Sequence, residues 1–293
     1  MTSKQGKKQE KIIEMPSQIN LEAAEHNLKQ GNELKKNGKL DEAIAKYKTA
    51  VDVHPEYVDA WKQLAAAYQA KKQLEKAVKC YEKIVVLKPK NAAAYLGLAK
   101  VFQRQKKTNA ALANYQKALE FKPKQPVRVY LNYANALNKQ GQLKAAIAAY
   151  EKVLELNPKK PAGVYVSLGS ALQKQKKFDK AIANFQKALE LQPENKNIYL
   201  KLADIQVKKG EIDEAIANYK KYLEFKSDSF AVHKSLGDAY MKKGWYDEAL
   251  ESYMTASDIK PDAVGINRLL GDTLLIKGQD VQALNYYRKA LVA

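Results

Sequence analysis

The stretch that decides the fold runs from Ala162 to Pro193, AGVYVSLGSALQKQKKFDKAIANFQKALELQP. In its first half Tyr165, Leu168 and Leu172 recur at three- and four-residue spacing, which places them on one face of an α-helix. In its second half Phe178, Ala181, Ile182, Phe185, Ala188 and Leu189 do the same. Between them, 174–177 carries no apolar side chain and reads as a tight turn. Two helices this short cannot bury both apolar faces against each other. The hairpin needs copies of itself.

The rest of the chain supplies them at a fixed period. Pro55, Pro89 and Pro123 stand 34 residues apart, and Pro158 and Pro193 follow at 35. Ser227 takes the next beat, and Pro261 restores the proline 34 residues later. Each proline follows a helix-forming run, where it stops the helix and sets the loop. A helix–turn–helix unit repeating every 34 residues is the mark of a helical repeat array.

These residues resemble the tetratricopeptide repeat family. Its pattern is a bulky residue, Leu-Gly and a large residue in the first helix, then Ala, an aromatic, Ala and Pro in the second. The opening unit has Tyr165, Leu168, Gly169, Leu172, Ala181, Phe185, Ala188 and Pro193 at these places. The next-to-last has Leu236, Gly237, Tyr240, Gly244, Ala249, Tyr253, Ala256 and Pro261. The second has Trp61, Leu64, Ala65, Tyr68, Ala77, Tyr81 and Pro89. Eight units are in phase: 24–57, 58–91, 92–125, 127–160, 162–195, 196–229, 230–263 and 264–293. The array thus covers 21–293, and 1–20 is expected to be a polar, disordered tail, with Asn20 an N-cap for the first helix. The resemblance implies an all-α fold, a right-handed α-α superhelix whose first helices line a concave groove, and a bacterial type of array.

The residue types have physical reasons. Small residues at Gly31, Gly169, Gly237 and Gly271, and at Ala43, Ala77, Ala181, Ala215 and Ala249, let the two helices of a hairpin approach closely. Tyr47, Tyr81, Tyr115, Tyr150, Phe185, Tyr219, Tyr253 and Tyr287 are expected to fill the space between one hairpin and the next. Each such ring buries on the order of 150–250 Å². Gly38, Gly141, Gly210, Gly244 and Gly278 fall at the inter-helix turn, where a left-handed backbone is wanted. Lys72, Lys106 and Lys176 occupy that place in three repeats, at about 1 kcal/mol each if the turn is kept.

The array is not uniform. Extra residues at Pro123–Pro126 and Pro158–Pro161 predict that these two junctions turn differently from the rest. The sixth unit has Gln206 where a large apolar residue is usual and Ser227 where proline is usual, so opening is expected near 206–229. The last helix keeps the internal pattern through Leu284, Tyr287 and Leu291, with no capping helix after it. That predicts either continuation into a longer protein or self-association through this face.

Bulk composition narrows the function classes. No run approaches a membrane span, and the N-terminus lacks the apolar core of a secretory signal, so the expected compartment is the cytoplasm. Cys80 is the single cysteine and is expected to be a part-exposed thiol. His26, His54 and His233 occupy different places of the repeat; His233 stands where Trp61, Tyr95 and Tyr165 stand, a packing place. Carboxylates such as Asp41, Glu42 and Glu75 are expected to pair with Lys46 and Lys79 along their own helix. No nucleophile, metal-ligand or phosphate-loop motif is present, so no enzyme, cofactor or metal is expected.

Binding remains. The resemblance implies a groove lined by Lys62, Lys100, Arg104, Arg128, Asn132, Asn135, Lys139, Ser167, Lys174 and Lys201, with Ser170 beside them. A lining rich in Lys, Asn, Ser and Gln suits extended, acidic peptide segments of partner proteins. Two known groove types of the family do not fit. The chaperone-tail clamp keeps Asn32 but meets Leu28, Gln63, Ala93 and Gly97 at its other places. The asparagine ladder of the O-linked N-acetylglucosamine transferases keeps Asn132 alone, with Lys29, Gln63, Gly97, Ser167 and Lys201 at the others. Charge is uneven: residues 58–160 hold 21 basic and 6 acidic side chains, whereas 230–263 hold 4 and 6. An acidic partner would be drawn to the N-terminal half. Only four of the 51 basic residues are Arg and the aromatics occupy packing places, so specific nucleic-acid recognition is not expected, though weak salt-sensitive binding is an alternative. Another alternative is the recruiting arm of a larger glycosyl-, methyl- or sulfotransferase, as in bacterial arrays of similar appearance.

Overall fold

The computed structural model describes residues 3–261, 263 and 265–292, with side chains from 18 to 291 except 262 and 264. Among the described residues there are sixteen α-helices and no strand. They fall into two compact units, Met1–Leu156 and Asn157–Ala293. The first holds α1 (Ser3–Lys36), α2 (Leu40–Val53), α3 (Val58–Ala70), α4 (Leu74–Leu87), α5 (Ala92–Arg104), α6 (Thr108–Glu120), α7 (Pro126–Lys139) and α8 (Leu143–Glu155). The second holds α9 (Ala162–Lys174), α10 (Phe178–Leu191), α11 (Lys196–Lys209), α12 (Ile212–Phe225), α13 (Phe230–Lys243), α14 (Tyr246–Ile259), α15 (Ile266–Ile276) and α16 (Asp280–Val292). Odd and even helices pair as hairpins, and within each unit the second helix of one hairpin packs on the first helix of the next.

The packing rests on a ring set against a missing methyl group. A Cβ added at Gly31, Gly169, Gly237 or Gly271 would lie 2.5–2.8 Å from the ring of Tyr47, Phe185, Tyr253 or Tyr287 of the same hairpin. Tyr81 shows the other side of the arrangement, because a Cβ on Gly97 of the following hairpin would lie 2.3 Å from its ring. Tyr47, Tyr115, Tyr150, Phe185 and Tyr253 are fully buried, as are Ala43, Ala77, Ala111, Ala146, Ala181, Ala215 and Ala249 beside them. Tyr81 therefore sits between neighbouring hairpins, as its spacing predicts.

Turn chemistry follows the sequence too. Gly38, Gly141, Gly210, Gly244 and Gly278 have φ of +71° to +84° at the inter-helix turn. Lys72, Lys106 and Lys176 hold the same turn at +58°, +61° and +59°, so the geometry is kept without glycine.

The two irregular junctions do differ. At ordinary junctions a 14-residue second helix ends on an extended residue, such as His54 at φ −136° or Lys88 at −136°. α6 and α8 stop after 13 residues, and Lys122 and Asn157 enter the left-handed region at +47° and +49°. Five residues, 121–125, then connect α6 to α7, where four suffice between α4 and α5.

Other expectations are corrected or given a partner. α1 begins ahead of Asn20, which lies inside the helix instead of capping it. The residues before it are rich in Lys, Gln and Glu, all good helix formers. The side chains of 1–17 lie outside the described residues, and the expected tail with them. Asp41 pairs with Lys71 of the next hairpin, and Glu75 accepts a bond from Gln105, 30 residues on in each case. Asp179–Lys209, Asp213–Lys243 and Asp247–Lys277 repeat this cross-link in the second unit. Each joins a carboxylate in the first turn of a second helix to a lysine at the end of the next first helix, which suits both helix dipoles. The acids are over 60% exposed, so each pair adds only about 0–1 kcal/mol. Gln206 is buried and bonded to Asn218 at 2.8 Å, so the polar residue in the sixth unit fills its place with a satisfied pair and leaves no void. The expected opening there is not forced by a lost contact.

The left-handed lysines yield a stability test. Replacing Lys72, Lys106 or Lys176 by Gly should raise the unfolding free energy by about 0.5–1 kcal/mol per site. The reverse change, Gly210→Ala, should lower it comparably, both read as shifts of the urea midpoint at constant m-value.

Candidate functional site

The first helices carry the candidate residues, and packing decides which of their places are free. In five repeats the tyrosine hydroxyl donates to the residue fifteen before it: Tyr47 to Asn32, Tyr150 to Asn135, Tyr219 to Asp204, Tyr253 to Asp238 and Tyr287 to Asp272, at 2.7–3.1 Å. Where that place holds Ala66 or Lys100, the glutamine twelve before is the partner: Gln69 Nε2 donates to the Tyr81 hydroxyl oxygen, and the Tyr115 hydroxyl donates to Gln103 Oε1. Phe185 has no hydroxyl, and Ser170 stands opposite. Burial drives the Tyr115 hydroxyl up to about 12, and burial with the Asp238 bond raises Tyr253 further, so these hydroxyls remain donors.

This frame releases Lys100 in the first unit. Its ammonium is partly buried, and burial first, then Arg128 and Arg104, pull its pKa below the ordinary lysine value. A cation pushed down by two other cations, with no carboxylate lifting it, marks a site short of negative charge. Arg104 also reaches back to the Gln69 carbonyl at 3.2 Å, which ties α5 to α3.

Beside this cluster a cleft of about 500 Å³ opens across three hairpins. Its walls carry Lys62, Lys90, Lys122, Lys124 and Arg128, and no carboxylate. Its floor is Ala92, Ala93, Leu96, Pro123 and Val129. The irregular 121–125 junction builds one wall, and the capped N-terminus of α5, where Asn91 accepts from Ala94 N–H at 3.1 Å, builds another. Asp59 lines a smaller adjoining cleft with Lys62.

Of the expected site residues, Lys62 and Arg128 share this cleft, and Lys100 and Arg104 adjoin Arg128. Asn135 is exposed but gives its oxygen to Tyr150 at 2.7 Å; Asn132 is half-buried and Lys139 exposed on the same helix. In the second unit Ser167 donates to the Gly163 carbonyl of its own helix at 2.9 Å. There Lys201 lies 5.9 Å over the Phe185 ring, and Lys174 is exposed in the last turn of α9. The lining expected to be rich in Lys, Asn, Ser and Gln turns acidic further on. Asp238 and Asp272 border a cleft of about 470 Å³ with Tyr219, Ser235, Met241 and Leu269. Asp238 is paired with Lys234 at 2.8 Å. Lys90, Lys122 and Lys124 escape the expectation because they stand in loops, and Leu96 because it is an apolar place of a first helix, whereas the expected lining is the polar places alone.

Cys80 is a correction. It is 3% exposed and its thiol is pushed up to about 12 by burial, so it is inert at neutral pH. Lysine at this place, as at Lys46, has a stem long enough to reach water. Asn114 and Asn184 fold back to carbonyls of their own helices at 2.8 Å. A cysteine has neither option and stays covered. His233 bonds to the Ser227 carbonyl at 2.8 Å, as Trp61 does to Pro55 and Tyr199 to Pro193, which supports its packing role. Among the described residues no cluster of His, Cys, Asp or Glu could hold a metal, and no helix is long and apolar enough to cross a membrane.

Family models described as tetratricopeptide repeat or TPR repeat match residues 31–72, 58–91, 92–125, 125–194, 172–239 and 237–278. The chain is a tetratricopeptide repeat protein. Among solved structures it is similar to the C-terminal part of a TPR repeat-containing protein from Cytophaga hutchinsonii, at 18% identity and a TM-score of 0.72 over 83% of this chain and 99% of that one. It also resembles MamA, at 24% identity and a TM-score of 0.54 over 57% and 91% of the two chains. PilF of Pseudomonas aeruginosa is similar at 24% identity and a TM-score of 0.53 over 70% and 93%. No curated protein sequence matches. At these identities the likeness shows the fold. Membership of the family makes this tetratricopeptide repeat array a protein-interaction scaffold.

Lys100 permits a test independent of any partner. Its depressed pKa means that the folded state disfavours the charge, a penalty present at neutral pH and relieved as pH rises towards the unfolded value. Lys100→Met should therefore leave the urea midpoint unchanged or raised at pH 7, whereas an ordinary structural lysine would show a loss.

Proposed function

We propose that the array binds extended, acidic peptide segments of partner proteins along the first-helix face of its first unit. The observation that carries this is a cleft lined by Lys62, Lys90, Lys122, Lys124 and Arg128 with no carboxylate, beside which Arg128 and Arg104 help to hold the Lys100 pKa down. A carboxylate from a partner would supply the missing charge, and the cleft with Lys62 and Arg128 gives the segment a path across α3, α5 and α7. The excess of 21 basic over 6 acidic residues in 58–160 would speed encounter with such a partner. The proposed face includes Lys62, Lys100, Arg104, Arg128, Asn132, Asn135 and Lys139, with Ser167, Lys174 and Lys201 as proposed contacts of the second unit. Catalysis is not part of this reading, and the cytoplasm is its proposed compartment. Exposed Val281, Leu284 and Leu291 on α16 make self-association, or cover by a further segment, a secondary proposal.

Isothermal titration with a Glu/Asp-rich decapeptide tests the reading. The intact chain should bind it with an affinity that falls steeply with salt. Changing Lys100, Arg104 and Arg128 together to Glu should weaken binding more than tenfold, with the helical circular dichroism preserved. Equal binding by both proteins would rule the basic face out.

A further inference from the structure

The cleft beside the cationic cluster has a second character that charge alone does not use. Its five cations stand on the rim, but Leu96, Val129, Ala93 and Pro123 form an apolar floor. Leu96 and Pro123 are half-buried and Ala93 is exposed, so these three present the apolar surface, backed by Val129, which is fully buried in the core. A volume of about 500 Å³ lies within the ~300–1,000 Å³ typical of ligand pockets. Its existence follows from the irregular junction. The early stop of α6 and the left-handed Lys122 turn the loop so that Lys122 and Lys124 flank the cleft and Pro123 joins its apolar lining. α7 begins there with Pro126, and its N-cap Gln125 makes no side-chain cap.

We infer that the cleft takes one apolar side chain of a partner segment, flanked on both sides by acidic residues that pair with the rim. This rests on the acidic-segment reading and names the partner more narrowly: an extended peptide with a Leu-, Ile-, Met- or Phe-type anchor set between carboxylates. Purely acidic peptide leaves the floor wet. Purely apolar peptide leaves five cations unpaired. A nucleic-acid strand satisfies the rim through phosphates, but its backbone offers the floor no apolar side chain.

Fluorescence anisotropy with the full chain separates these cases. The first probe is a labelled decapeptide of Glu, Asp and Gly with a central Leu; the second has Ser in place of that Leu; the third is a ten-residue oligothymidylate. The Leu peptide should bind about tenfold or more tightly than the Ser peptide, the gain expected for burying one such side chain. Ala93→Gln, an exposed change in the cleft lining, should abolish that difference. Lys124→Ser should weaken both peptides in parallel.

Equal affinities for the two peptides, both lost on Arg128→Ser, would overturn the anchor and leave the acidic-segment reading standing. Failure of both peptides to bind would overturn both. Oligothymidylate binding as tightly as the Leu peptide would overturn the anchor in favour of a general polyanion surface.

Discussion

A ring pressed against a residue with little or no side chain is the contact on which this protein depends. Tyr253 and Gly237, Phe185 and Gly169, and Tyr47 and Gly31 are so close that an added Cβ would fall within 2.8 Å of the ring. That contact sets the separation of the two helices in a hairpin. Through the Tyr81–Gly97 approach it also sets the separation of successive hairpins. Once those places are committed, the tyrosine hydroxyl needs a partner, and the first helix must supply it. The polar face of the first helices is thus divided by packing: some places anchor hydroxyls, and others are released to solvent or to a ligand. Lys100 is charged and unneutralised because Gln103 anchors Tyr115 in its stead.

Much of this is written plainly in the residues. The 34-residue beat of prolines, the alanines beside the rings and the left-handed turns follow from simple steric arguments. The same arguments apply at Lys72, Lys106 and Lys176, where no glycine is present. The junctions at 121–125 and 156–161 declare themselves by length alone. What escapes is pairing across repeats. Asp41 looks like a partner for its own helix, yet it binds Lys71 thirty residues on, because the ends of adjacent first and second helices meet there. The tyrosine anchors were legible in principle. Asn or Asp stands fifteen residues before the tyrosine wherever that bond forms, and Ser170 stands before the one phenylalanine. Cys80 looks like its neighbours' surface place, but a short side chain cannot climb out as Lys46 does.

The candidate site was half legible for a related reason. Lys62 and Arg128 can be placed on one face by period alone. Lys90, Lys122 and Lys124 belong to loops, and their approach to the first helices depends on where α6 stops. The apolar floor is harder still, since Leu96 reads as an ordinary core residue until the loop turns aside and leaves it open to a cleft. Regular repeats build the frame; the departure from regularity makes a recess in it. The same logic accounts for the contrast between the units. The place that holds Lys100 in the third repeat holds Asp204, Asp238 and Asp272 in the last three, all engaged by tyrosine hydroxyls.

The central claim is that packing reserves the second helices and leaves part of the first-helix face of 58–139 to meet a partner. Hydrogen exchange followed by mass spectrometry, on the full chain with and without a saturating acidic peptide bearing one central Leu, tests it most directly. Slowed exchange confined to α3, α5, the 121–125 junction and α7, with α4 and α6 unchanged, is the result the account predicts. Protection on α4 and α6, or in the second unit alone, would contradict it.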